Sequence, residues 1–184
     1  MTLQQWYEKG MDPDDYIESM QKNKENLLHI YDSYTVPTDS KFFNEVREKK
    51  LRAIVITEDW CGDAMLNLPI LFHIAQEANI ELRILPRDNN LQLMDQYLTN
   101  GKSRSIPIFI FMNEKSEEVA KWGPRAPKIQ SFVEDAMAGL PSKNADDFQE
   151  KQSELFTFLT KSFRNNIDFR NDVYDSLKKT LQSI

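Results

Sequence analysis

Apolar positions follow two different rhythms along the chain, and the changes between them divide it into three parts. Near the start, Tyr16, Met20, Leu27, Ile30 and Tyr31 recur at steps compatible with an amphipathic helix. Asp12-Pro13 supplies an N-cap and a first-turn proline, so the helix is predicted to run from there to about Tyr31. After Pro37 and Asp39, a second helix is predicted over Ser40–Lys50, with Phe42, Phe43 and Val46 inward and Arg47, Lys49 and Lys50 at the negative end of its dipole. At the far end, Phe148, Leu155, Phe158, Leu159 and Phe163, then Phe169, Val173, Leu177, Leu181 and Ile184, repeat mostly at three- and four-residue steps and predict two more helices.

Between Leu51 and Gly139 the rhythm alternates. "RAIVIT" is a continuous β-branched run, as expected of a strand buried on both faces. It leads through Cys61 into helical spacing at Met65, Leu68, Leu71, Phe72 and Ala75. "IELRIL" and "NLQLMDQYLTNG" repeat strand and helix, with Gly101 placed as a C-cap. "PIFIFMN" and "EEVAKWG", joined by a turn at Asn113–Ser116, read as a hairpin, and a closing helix is predicted from about Pro127 to Met137. The order β-α-β-α-β-β-α predicts an α/β fold with a central mixed sheet flanked by helices, and ligands at the carboxyl ends of its strands. Three parts are expected: a helical N-terminal extension (1–50), the α/β core (51–139) and a helical C-terminal extension (140–184). The apolar faces of the extensions must be covered, by the core or by a second copy of the chain in a homodimer.

Composition narrows the partners. With 40% hydrophobic residues in 184, the chain can bury a sizeable core. Its longest apolar run, Ile106–Met112, falls far short of the roughly 20 residues a bilayer requires, so no membrane association is expected. Met1–Asp15 lacks the basic start and apolar centre of a secretory signal, which points to the cytoplasm. A net charge of −6 and a pI near 5 provide no footprint for nucleic acid or an anionic membrane surface. The single cysteine excludes an internal disulfide.

That cysteine, Cys61, stands where a strand end meets a helix start. Unpaired backbone N–H groups and the positive end of the helix dipole there stabilise a thiolate. Glu58, Asp59 and Asp63 oppose this, because nearby negative charge favours the protonated thiol. Trp60 is placed to shield one side of the sulfur.

These residues carry a resemblance. Ala53–Pro69 resembles the active-site strand and helix of the thioredoxin superfamily: an apolar strand, W-C-G, then a helix with a proline eight positions after the nucleophile. "RSIPIFIFMNEKSEE" resembles the same family's second landmark, an isoleucine and cis-proline before a buried strand, here Ile106 and Pro107. Lys121-Trp122-Gly123 and the helix from Pro127 match the family's last strand and closing helix. The resemblance implies a thioredoxin-like fold over about Leu51–Met137 and Cys61 as nucleophile. It also implies a substrate site formed by Trp60, Gly62, Asp63, Ile106 and Pro107, with Ile106 as a backbone partner for an extended substrate.

Three departures qualify that implication. Ala64 stands where dithiol members carry their second cysteine, Asp63 replaces the intervening proline, and Val55 replaces a buried acid. The resemblance is therefore to a monothiol member that forms a mixed disulfide with a client protein or a low-molecular-weight thiol, resolved by an external thiol. The alternative is a redox-inactive binding or adaptor module of the same fold. No cofactor is expected: one cysteine with His73 twelve positions on and His29 remote provides no metal-ligand spacing, and both histidines read as ordinary helix residues. Met65, Met94 and Met137 read as core filler, the acidic runs such as Asp12–Asp15 as solvated surface, and Arg104 as a cation within reach of the thiol.

Overall fold

The structure is a computed structural model describing residues 1–184. Its sheet has four strands, β1 (Arg52–Thr57), β2 (Glu81–Pro86), β3 (Ile108–Met112) and β4 (Glu118–Trp122), in the order β2-β1-β3-β4. β1 pairs in parallel with β2, from Arg52 opposite Glu81 to Thr57 opposite Pro86, and antiparallel with β3, Ile56 facing Ile108. β3 and β4 form an antiparallel hairpin with a register shift at Phe111/Met112. Central β1 and β3 are covered on both faces, which is why their sequences read as unbroken apolar runs instead of alternating.

Nine helices flank the sheet: α1 (Leu3–Lys9), α2 (Pro13–Ser19), α3 (Lys24–Asp32), α4 (Ser40–Glu48), α5 (Gly62–Ala78), α6 (Leu91–Met94), α7 (Pro127–Ala138), α8 (Phe148–Asn165) and α9 (Ile167–Gln182). α5 is the hub. It follows β1 directly and packs against α3, α4, α8 and α9, so it is buried nearly all round and accommodates Pro69 within its length. None of the helices is long and apolar enough to cross a membrane. The terminal helices are not free tails: one cluster of 49 buried apolar residues runs from Trp6 through the sheet to Leu181, so the extensions share the core of the central α/β unit.

Three elements differ from the sequence pattern. The helix expected from Asp12 to Tyr31 is broken at residues 20–23. The backbone N–H groups of Gln21 and Lys22 donate to the Asp59 carboxylate (2.7 and 3.0 Å), and Asn23 is left-handed at φ 57°. A carboxylate 37 and 38 positions away thus takes the donors that would have continued the helix. The first eleven residues hold a helix that apolar spacing did not reveal; its signal is a reciprocal capping box between Thr2 and Gln5, which starts α1 and turns Trp6 and Tyr7 inward. The helix expected to end at Gly101 is a single turn, α6. Beyond it Tyr97 is anchored by a 2.7 Å hydrogen bond from its hydroxyl to Glu118, and Gly101 sits at φ +66° in a turn closed by Thr99 and Ser103. Its glycine serves a loop, not a helix C-cap.

Candidate functional site

Cys61 is the N-cap of α5, with extended backbone (φ −78°, ψ 118°). Its carbonyl accepts the first bond of the helix, from Met65 N–H at 3.1 Å, while Sγ accepts the N–H of Ala64 at 3.4 Å. A sulfur here takes the capping role usually filled by a side-chain oxygen. On its other side the thiol donates to the carbonyl of Ile106, 3.4 Å away. The Ile106–Pro107 bond is cis, and the carbonyl of Pro107 lies against Gly123. Gly123 is required at this approach: at φ +126° its missing Cβ would stand 2.2 Å from that carbonyl oxygen. Asn67 of α5 completes the junction, its side-chain amide donating to the Pro124 carbonyl at 3.0 Å.

This junction brings a cation to the cysteine. Arg125 forms a two-pronged ion pair with Asp63 (2.6 and 2.7 Å), and Gln130 holds the guanidinium from behind at 2.9 Å. Burial pushes the Cys61 thiol up to about 11, and the Asp63 carboxylate adds to the rise. The N–H groups of Ala64 and Asp63, and the charge of Arg125, pull the other way without matching it. Asp63 itself is raised by burial more than Arg125 lowers it. The resting sulfur is therefore a thiol, only 7% exposed.

Cys61 nevertheless reaches open space, a cavity of about 400 Å³. One side is made by Trp60, Asp63 and Arg125, and the other by Val133 and Met137 of α7 with Phe156, Leu159, Thr160 and Phe163 of α8. Gly62 contributes openness, since a Cβ there would meet only Phe163, at 4.0 Å.

Of the residues singled out from sequence, Cys61, Trp60, Gly62 and Asp63 border this cavity, and Ile106 meets the sulfur through its carbonyl, where an extended substrate had been expected to bind. Pro107 belongs to the same junction. Trp60 is 43% exposed and lies under the Arg87 guanidinium, so it forms the cavity rim more than a shield over the sulfur. Met137, read as core, is exposed at the mouth because α7 presents that face to the cavity, whereas Met65 and Met94 are buried as core residues. Arg104 does not approach the thiol; Asp95 holds it in a two-pronged pair at 2.6 and 2.9 Å. Glu58 and Asp59 are also turned away, toward the N–H groups of Asp88 and of Gln21 and Lys22. Among the three neighbouring carboxylates, only Asp63 bears on the sulfur.

Sequence reasoning missed Arg125 and the α8 wall. Arg125 lies 62 positions from Asp63 and carries no spacing signal; only the Gly123 contact brings it in. The apolar stripe of α8 was legible, but not the surface it covers.

A family model described as Thioredoxin matches residues 10–138. Among solved structures, the chain resembles PA1234, a protein of unknown function from Pseudomonas aeruginosa, at a TM-score of 0.65 and 17% identity, covering 97% of this chain and 98% of that one. It also resembles an HIV epitope-scaffold at a TM-score of 0.60 and 15% identity, covering 98% and 99%. Both likenesses concern the fold and span its full length, extensions included. No curated protein matches the sequence.

Proposed function

Given that the chain belongs to the thioredoxin family, we propose that it takes part in thiol–disulfide exchange as a monothiol protein, through a mixed disulfide at Cys61. The observation that carries this reading is the position of Sγ: capped by Ala64 N–H at the start of α5 while bordering an apolar cavity. A disulfide seated in the cavity is attacked by the Cys61 thiolate. A new S–S bond forms, the outgoing sulfur leaves as thiolate and takes up the proton that Cys61 lost, and Cys61 is oxidised as the ligand's other half is reduced. Since Cys61 is the chain's only cysteine, an external thiol must resolve the adduct. The α8 wall across the cavity favours a low-molecular-weight partner over a client polypeptide.

A thiol raised to about 11 exposes little thiolate at neutral pH, so turnover rests on positioning, not on a poised anion. This separates two reagents. Iodoacetamide, which gains little from the cavity, is expected to alkylate native Cys61 more slowly than the denatured chain at pH 7.5. A small aromatic disulfide is expected to modify native Cys61 faster than the denatured chain, with a rate that saturates as the reagent fills the cavity, producing one adduct per chain that a small thiol removes. Cys61→Ser abolishes the adduct. The same burial that lowers reactivity favours a second reading, a binding module of thioredoxin fold without turnover. Slower modification by both reagents, with no saturation, would replace exchange by that reading.

A further inference from the structure

A groove larger than the cavity at Cys61 lies elsewhere on the molecule. It lies between α2 and α3 on one side and the end of α5 with the start of β2 on the other, and has a volume of about 830 Å³. Its floor is apolar: Phe72, Ile80 and Leu82 are buried beneath half-buried Ile17, Leu28 and Tyr31. Its rim is acidic. Asp14, Glu18, Asp32 and Glu81 stand around it, and none of them has a cationic side chain as partner. The groove's one cation, Arg83, is already paired with Asp12. An apolar trough edged by four carboxylates without cationic partners, of which Glu81 accepts the Tyr7 hydroxyl at 3.0 Å, repels phosphate-bearing surfaces, whether nucleic acid or anionic lipid. It complements a helix with apolar side chains on one face and lysines or arginines along its flanks.

We infer that this groove is a docking site for a basic amphipathic helical segment of a partner protein. The helix lays its apolar face on the floor and sets its cations against Asp14, Glu18, Asp32 and Glu81. The break between α2 and α3 makes the groove, because a continuous helix would not splay the two segments around it; Asp59, by capturing the N–H groups of residues 21 and 22, holds that break open. The site is independent of the thiol. Phe72 and Gln76 lie 11 and 15 positions beyond Cys61, roughly 16–22 Å further along α5 at 1.5 Å per residue.

The test is fluorescence anisotropy on the full chain with two labelled 18-residue helices of one apolar pattern, one carrying lysines on its polar face and the other glutamates. The lysine helix is expected to bind one to one, with affinity falling as salt rises. The double variant Asp14→Lys/Glu18→Lys, two exposed changes that leave the core untouched, is expected to weaken it at least tenfold, and Leu28→Glu likewise. Asp146→Lys/Asp147→Lys, an equal charge reversal far along the chain, leaves affinity within twofold, and so does Cys61→Ser. Should Leu28→Glu not fold, as judged by circular dichroism, the rim variant alone decides. The proposal is overturned if the glutamate helix binds equally well, or if both double variants weaken binding alike, which marks diffuse attraction to an acidic protein. A dimer of the protein alone that the peptide dissociates would also overturn it, by assigning the groove to a second copy.

Discussion

At the scale of single residues, the reactivity of Cys61 is set by a contest between burial and a small electrostatic group, and each member can be varied. Asp63→Asn removes the negative charge that raises the thiol and frees the charge of Arg125, which lowers it. Cys61 should then titrate at lower pH and alkylate severalfold faster at pH 8, as read from a rate–pH profile. Arg125→Gln acts oppositely. It leaves Asp63 without its partner, so the thiol titrates higher and the chain loses about 3 kcal/mol, the low end for a broken buried pair because both side chains keep some contact with water. The raised thiol is also a statement about stability. In the unfolded chain Cys61 releases its proton near 9, and in the folded chain near 11. Between those values the folded state holds more protons, so stability present below about pH 9 is lost as pH rises toward 11, by about 2–3 kcal/mol. Denaturant titrations across that range should show a flatter decline in Cys61→Ala than in the natural chain.

At the scale of elements, the legible features were those whose cause is local. β1 and β3 announce themselves as apolar runs because both faces are covered, and α8 and α9 by their stripes. What eluded the pattern was decided by distant groups: Asp59 breaks the α2–α3 helix, and Glu118 anchors Tyr97 beyond a truncated α6. The junction of three loops at the cysteine depends on Gly123, so Gly123→Ala should cost roughly 1–3 kcal/mol for backbone strain alone and more from the collision with Pro107, lowering Tm accordingly. The α8 wall yields a separate expectation. Phe163 is 3% exposed and packs over Gly62, so Phe163→Ala should destabilise by about 3–5 kcal/mol and raise Cys61 alkylation in the native state. Faster labelling without loss of Tm would mean that Phe163 is a gate and not a packing element.

At the scale of the whole molecule, one core joins the terminal helices to the sheet. Val173, Leu177 and Leu181 of α9 are fully buried, as are Leu27 and Ile30 of α3. Amides of α9 should therefore exchange at the slow, global rate and not as a frayed tail. A chain ending at residue 139 would uncover α5 and is expected to aggregate or to unfold without a cooperative transition. The full chain should unfold in one step, with far-ultraviolet and tryptophan signals coinciding, because Trp6 and Trp122 lie in the same core cluster as the sheet.

Local pattern alone carried the β-α-β-α-β-β-α order of the central unit, the placement of Cys61 at a strand–helix boundary and the absence of a second thiol at Ala64, since each depends on neighbours a few positions away. The W-C-G and Ile106-Pro107 landmarks belong to that same local text. The burial and protonation of the thiol, the choice of Arg125 over Arg104 as its neighbouring cation and the α8 wall of its cavity all follow from long-range packing. Desolvation and ion pairing depend on which surfaces meet, and residues 62 or 100 positions apart meet only once the chain has closed around its core.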